Sequence, residues 1–500
     1  MLRSLVRRVA VRGYATSTTS SAKSGGGGDI SDVFPSLRGE TVGPLPKEFA
    51  KIQERIIEAA GGPEVLQASW DRLLPSLAEE VATVKRLGNQ VIPQIDMSRI
   101  SEEGQFPVDF QDQVRKRGVA IVRNVVPRDE ARQWKYDLDD YINKNPVRGF
   151  PEGTPTIFEL YWSKSQLRGR THPNSMKVQK ALQQLWHSEH SSQLPVSLRH
   201  SLTYADRLRI RPPGDQKFAL GPHIDAGGIE RWEDIEYSKV YSKILYEGKW
   251  EEYDPFDYTF RLTANSDLHE GQGQCSMFRL FQGWLGMSET GPKEGSLQVN
   301  PMIKHATAYL MLRPFFAPET AINGDSYDPT DNNVHVPWRF VGPTSVFPNS
   351  LPGSVQELSP ISHPHLELDH TMVSLPKMYP GDFIAWHTDT IHAVEKEHQG
   401  AGDASVLYIP AVALTQNNLD YVVKEKAAYL RGSPAPDYPD ADGPGEHGFI
   451  DVGTDKDILT LEGAQALGLG NIKFNVSEAQ SEGERTILQR ANEALYPHVS

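Results

Sequence analysis

Two apolar periodicities divide the chain. Between Pro46 and Ala60, Phe49, Ile52, Ile56 and Ile57 recur at helical spacing, and Gly61-Gly62-Pro63 ends the run. From Val65 to Leu87, Leu66, Trp70, Leu73, Leu74, Leu77 and Val81 share one face, with Pro75 placed to kink or split the helix. The texture changes at Phe106. Phe110 to Arg117 reads as a helix, Gly118 to Val126 as a β-branched strand, and another helix runs from Pro127 to about Asn143. Residues 175 to 191 read as helical. The strands that follow are Asp206 to Gly214, Cys275 to Trp284, Gly295 to Pro301, Ala308 to Phe316, His370 to Pro376, Asp382 to Trp386 and Ala404 to Val412. Trp232 to Tyr258, rich in aromatics and acids, is long for a connection and reads as an insertion able to cover a site. Residues 317 to 370 hold many Pro, Asn, Asp and Ser and read as irregular. Helices return at Asn418 to Leu430 and Ser477 to Tyr496, around a Pro/Asp/Gly linker from Pro434 to Gly448.

Short strands, long loops and no βαβ alternation predict a mainly β fold with helices. The expected form is a double-stranded β-helix, a cupin-like jelly roll, with helices packed outside it at both ends. The division expected is a helical region at 29–105, the β domain at 106–414 and a helical and loop extension at 415–500.

Composition narrows the function. A net charge of −14 over 500 residues argues against a general nucleic-acid binder, which carries a basic face. One cysteine, Cys275, excludes a disulfide framework and cysteine-based metal clusters. No run approaches the roughly 18 apolar residues of a membrane span, so a soluble protein in a reducing compartment is expected. The first 28 residues run against the acidic balance. Arg3, Arg7, Arg8 and Arg12 precede the first acid, Asp29, and lie mostly opposite Leu2, Leu5, Val6 and Val9 on a helix. A basic, amphipathic, acid-free start followed by Ser/Thr and Gly25 to Gly28 predicts a mitochondrial transit peptide, cut near Ala15, and residence in the matrix.

Candidate chemistry gathers in two stretches, Gly221-Pro-His-Ile-Asp-Ala-Gly-Gly228 and Pro380-Gly-Asp-Phe-Ile-Ala-Trp-His-Thr-Asp-Thr-Ile-His392. On extended chain His223 and Asp225 project from one face, so imidazole and carboxylate can converge on one point. Two histidines and a carboxylate on one face of an octahedral metal form the triad of non-haem Fe(II) oxygenases, which leaves three positions open. The second histidine would come from the later stretch, which offers His387 and His392. Gly227 and Gly228 permit positive φ or close backbone approach just past the first pair. Two other histidine pairs compete. His187 and His190 at i, i+3 could share a helix face, and His363-Pro-His365 lies in the irregular region; for both a surface position is expected. Arg207, Arg209 and Arg211 share one face of a strand by alternation.

The two ligand stretches and the Gly-Asp turn resemble the phytanoyl-CoA-hydroxylase-like branch of the Fe(II)/2-oxoglutarate-dependent oxygenases. The helix, strand, "Arg-Asn-Val-Val-Pro" and helix order entering at Phe110, and the Gly295-Ser-Leu…Pro301 strand, are similar to the same enzymes. More closely, Pro222-His-Ile-Asp-Ala-Gly227, Gly381-Asp-Phe-Ile-Ala-Trp-His387 and Ser405-Val-Leu-Tyr-Ile-Pro-Ala411 resemble a bacterial and fungal family of uncharacterised proteins assigned to that superfamily. The resemblance implies Fe(II) held by His223, Asp225 and His392, because the later histidine of the motif is the ligand. It also implies 2-oxoglutarate and O₂ as co-substrates of a reaction on a small molecule. A retained carboxylate at Asp225 implies hydroxylation over halogenation. One departure stands out. Where those enzymes place an arginine for the 2-oxoglutarate C5 carboxylate, this chain has Asp403. A replacement cation is therefore expected, Arg313 first and Arg209 or Arg211 after it. The alternative expectation is a metal-containing, carboxylate-binding cupin without oxygenase activity.

Overall fold

The computed structural model describes residues 43–497 apart from 226, 272–274, 324–325, 329 and 439. The basic start at residues 1–28 lies outside them. Eight strands form the centre: β1 (Leu208–Arg211), β2 (Leu220–Ile224), β3 (Phe281–Gly286), β4 (Leu297–Val299), β5 (Val373–Ser374), β6 (Phe383–His387), β7 (His392–Val394) and β8 (Ala404–Tyr408). They fall into two sheets. The larger runs β6-β3-β8-β1, extended by Gln94–Asp96 and Val119–Arg123 beyond β6 and by Ile157–Phe158 and Gly149–Phe150 beyond β1. The smaller runs β2-β7-β4-β5, with Gln356–Glu357 on the outer side of β2. Every pairing among the eight is antiparallel, and the chain crosses between the sheets after almost every strand. The protein is thus mixed α/β, built on two large sheets.

Alternation along the strands sends neighbours to different cores. Trp284, Ile384 and Val406 of the larger sheet meet Ile224, Leu297 and Val299 of the smaller in one cluster. Leu285, Phe383 and Leu407 point the other way, onto Phe110, Val114, Trp134 and Leu138 of the helices Val108–Arg117 and Arg128–Lys144. The first cluster also takes in Leu66, Trp70, Leu73 and Leu77, so the N-terminal helices share their core with the sheets.

Helix Pro63–Leu87 is continuous, because Pro75 sits on its exposed side, where the lost backbone hydrogen bond is made good by solvent. Several segments depart from expectation. Ala308 to Phe316 is not a strand. Ile303–Leu312 is a helix, buried at Ala306 to Leu312 without a polar face, and an apolar run of that kind has no period to read. Arg313 therefore starts a helical turn instead of lying on a strand. Helix Pro173–Gln183 stops short of His187 and His190. His187 instead pairs with Asp254 at 3.0 Å. His363 is buried, contrary to the surface position expected.

Candidate metal centre and cavity

Antiparallel pairing of β2 with β7 puts His223 directly opposite His392. Asp225 follows two residues after His223, on the same side. His223 Nε2 lies 3.3 Å and His392 Nε2 3.5 Å from the two oxygens of Asp225. One ligand atom from each of the three lies within 4.8 Å of the others. Each imidazole is turned by its backbone. His223 Nδ1 donates to Gly221 O at 2.7 Å and His392 Nδ1 to Thr390 O at 3.0 Å, leaving both Nε2 atoms facing the carboxylate. Burial opposes the charge on Asp225, and its bonds to His223 and His392 outweigh it and hold the carboxyl well below the usual range. Gly227 has φ of +78°, and a Cβ on Gly228 would come within 2.8 Å of Leu351 O, so the chain past Asp225 accepts only glycine at both positions.

His387 plays another part. The Asp389 N–H donates to its Nδ1 at 3.0 Å and its Nε2 faces Pro255 O at 2.9 Å, which occupies both ring nitrogens. Stacked on Trp186 at 4.7 Å and fully buried, it is a neutral core histidine, its pKa pushed down to about 3 chiefly by burial. Asp389, in the loop between β6 and β7, pairs with Arg261 at 2.6 Å, with Tyr241 OH 3.3 Å away. The insertion expected over the site, Trp232 to Tyr258, therefore packs against the loop that delivers His392; none of its residues lines the cavity.

This buried pair yields the first expected result. Arg261→Met should cost about 3–5 kcal/mol, because it leaves the Asp389 charge buried without its partner. Denaturant unfolding measures it. Burial opposes the Asp389 carboxylate, yet Arg261 and then Arg231 hold its pKa below the ordinary value. The pair's contribution is present above about pH 4, where an unfolded aspartate is ionised, and declines as pH falls further.

The triad opens on a cavity of about 160 Å³. By that measure it has room for roughly ten waters, enough for small organic ligands. Three arginines line it: Arg207, Arg209 and Arg279. Arg209 is 3% exposed, its Nε has no hydrogen-bond partner among the described residues, and its guanidinium lies 5.8 Å from the Phe218 ring. Burial works against its charge, so an anion arriving beside it is favoured. Arg211, two residues on, is spent on Asp215 at 2.6 Å and on Glu395 O and Lys396 O. Arg313 is not in the cavity. It donates to Ser362 O and Phe316 O and lies 4.6 Å from the Trp338 ring, in the core beside Tyr309 and His365. Asp403 faces outward, bound to Arg132 of helix Arg128–Lys144 at 2.6 and 2.9 Å.

The sequence reading missed Gln282, Tyr408 and Arg279. Gln282 of β3 accepts from Trp386 Nε1 at 2.7 Å, which turns its amide so that Nε2 donates to Asp225. One amide inside the otherwise apolar Phe-Gln-Gly-Trp-Leu-Gly was the available signal. Tyr408 lines the cavity as well, and burial keeps its hydroxyl neutral by raising its pKa.

Residues 43–469 match the model of the Gig2-like family. The uncharacterized protein YbiU of Escherichia coli K12 is 30% identical over 394 residues, which are 75% of this chain and 86% of YbiU. The Candida albicans protein of GlcNAc Inducible Gene 2 superposes with a TM-score of 0.79 at 32% identity, over 92% of this chain and 97% of that one. A Salmonella typhimurium LT2 protein described as a candidate oxidoreductase does so with 0.70 at 30%, over 86% and 99%. The chain belongs to the Gig2-like family.

Proposed function

We propose that this Gig2-like protein is a non-haem Fe(II)/2-oxoglutarate-dependent oxygenase, a hydroxylase of a small molecule, built on a double-stranded β-helix. The alternation of eight antiparallel strands between two sheets supports the fold reading. The observation that carries the function is the convergence of His223 Nε2, His392 Nε2 and the Asp225 carboxylate, each imidazole tied back through Nδ1. Two imidazole nitrogens and a carboxylate are a donor set suited to Fe(II). When bound, the iron supplies the redox chemistry that couples decarboxylation of 2-oxoglutarate to oxidation of the substrate.

The chain's residues supply binding and orientation. Arg209 would grip the C5 carboxylate through its guanidinium fork, in place of the arginine replaced by Asp403, with the Tyr408 hydroxyl beside it. Leu220, Leu297 and Val394 wall the cavity and keep water from the reacting groups. Gln282 and Trp386 set the orientation of Asp225. Gln282→Leu should therefore weaken Fe(II) binding by about 10- to 100-fold, as outer-shell changes do, with the fold retained. A competition titration against a chromogenic chelator measures it.

Succinate release from 2-oxoglutarate, dependent on Fe(II) and O₂, tests the reading. Binding of metal and carboxylate without succinate would favour the other reading, a carboxylate-binding protein without oxygenase activity, for which Asp403 in the arginine position speaks. The arginine-rich start further supports a mitochondrial matrix location. The mature chain is expected to begin near Ala15, and finding Met1 intact on cytosolic protein would refute it.

A further inference from the structure

The cavity has two cationic ends, and only one is needed for the co-substrate. The strand register fixes their places. Arg209 stands opposite Val406 and Val406 opposite Gly286, four residues along β3 from Gln282, which holds Asp225. That separation is roughly 13 Å at the rise of a strand. Arg279 precedes Gln282 by three residues, on the other side of the metal ligands. Burial opposes the Arg279 charge, and the acids acting in its favour are Asp225 and Asp206; those acting on Arg209 are Asp215 and Glu395. Asp225 and Arg279 line the same cavity, and the two arginines approach it from opposite ends of β3.

Among the described residues Arg279 makes no ion pair or hydrogen bond, and its contact is with the Tyr204 ring, 5.6 Å from the guanidinium carbon. The neighbouring acids are engaged. Asp437 accepts from Ser276 N at 2.9 Å, Ser276 Oγ at 2.6 Å and Tyr204 OH at 3.1 Å. Asp206 accepts from Arg207 N at 2.7 Å and lies 3.7 Å from Arg207 Nε. Charge points the same way. Three arginines against Asp206 and Asp225 leave the lining one positive charge in excess, and Fe(II) with doubly charged 2-oxoglutarate leaves that excess unchanged.

Resting on the oxygenase reading, we propose that Arg279 binds an oxyanion of the substrate, so that the substrate is a small molecule carrying one carboxylate or phosphate group held beside the metal centre. The Tyr204 ring, with Tyr438 and Pro410, forms the apolar surface next to it. A group anchored at Arg279 puts its neighbouring carbons, and not the anion, near the ligands, which is the geometry that selects one bond for oxidation.

The test uses charge-matched probes and ligand-observed NMR on the full chain. Benzoate is compared with benzamide, and methyl phosphate with trimethyl phosphate. Each is measured on wild type loaded with Zn(II) and saturating 2-oxoglutarate, and on metal-free Arg209→Met. In both, at least one anion should bind about 10-fold or more tighter than its neutral partner, and adding Arg279→Met should remove that preference. Which anion wins separates a carboxylate from a phosphate. Arg279→Lys, which retains the charge, should recover part of it and guard against misfolding. In anaerobic Fe(II) protein, 2-oxoglutarate affinity should change less than about 3-fold in Arg279→Met. Equal binding of anions and neutral probes, or a preference unchanged by Arg279→Met, would overturn the proposal. So would loss of 2-oxoglutarate binding in Arg279→Met, since Arg279 would then serve the co-substrate and not the substrate. Failure of the oxygenase reading looks different. Wild type would not bind 2-oxoglutarate, while the metal-free arm would still report an anion site at Arg279.

Discussion

His392→Ala should lose most of its Fe(II), with affinity down at least about 100-fold, while His387→Ala keeps its iron and loses stability instead. His392 presents Nε2 to Asp225 across the β2–β7 pairing, and its Nδ1 is tied to Thr390 O. Removing it takes away one of three protein ligands, a larger loss than the 10- to 100-fold typical of an outer-shell change. His387 has both ring nitrogens occupied, by Asp389 N and Pro255 O, and is stacked on Trp186 and edge-on to Phe256 at 4.9 Å. Truncating a fully buried ring of that size costs about 3–5 kcal/mol, and Asp389, its hydrogen-bond donor, loses its acceptor as well. Elemental analysis of folded protein, read beside a denaturant melt, separates the two histidines. Full iron occupancy in His392→Ala would show that the ligand set is wrong. The same measurement on His223→Ala and Asp225→Ala should reproduce the loss.

Arg209→Met should weaken 2-oxoglutarate by roughly 30- to 1,000-fold, the equivalent of about 2–4 kcal/mol for a lost charge-assisted pair. The arginine sits almost wholly buried in the cavity wall with an unpartnered Nε and no carboxylate paired with it among the described residues. An incoming C5 carboxylate would otherwise be desolvated without a partner, which is costly. Methionine keeps much of the apolar stem against Phe218 and removes the fork. Iron binding should be spared, since Arg209 is no ligand. The measurement is an anaerobic titration of the Fe(II) protein followed by its metal-to-ligand charge-transfer absorption. Arg313→Met should leave that affinity alone and lower stability, because Arg313 holds the backbone at Ser362 and Phe316. Unchanged affinity in Arg209→Met would remove the anchor assigned here and strengthen the carboxylate-binding alternative.

Local rules sufficed for part of this protein. The i, i+2 projection of an extended chain placed His223 and Asp225 together, and alternation placed Arg207 and Arg209 on one face, where both line the cavity. Capping glycines and amphipathic stripes located the helices Ala50–Ala60, Pro63–Leu87 and Gln416–Arg431 to within a few residues. These features depend on neighbours a few positions apart, so they are written in the chain. What needed the tertiary structure depends on partners far away. His387 and His392 are indistinguishable by spacing, and only the pairing of β7 with β2 and the packing of Trp186 give one a place among the ligands and the other a place in the core. Arg313 looked like a barrel arginine because an apolar run buried on all sides carries no period, so a helix there reads as a strand. Gln282 became visible when Trp386 and Asp225, more than fifty residues away on either side, closed on its amide. Arg279 stands out because no described residue pairs with it, and that is a property of the folded cavity alone.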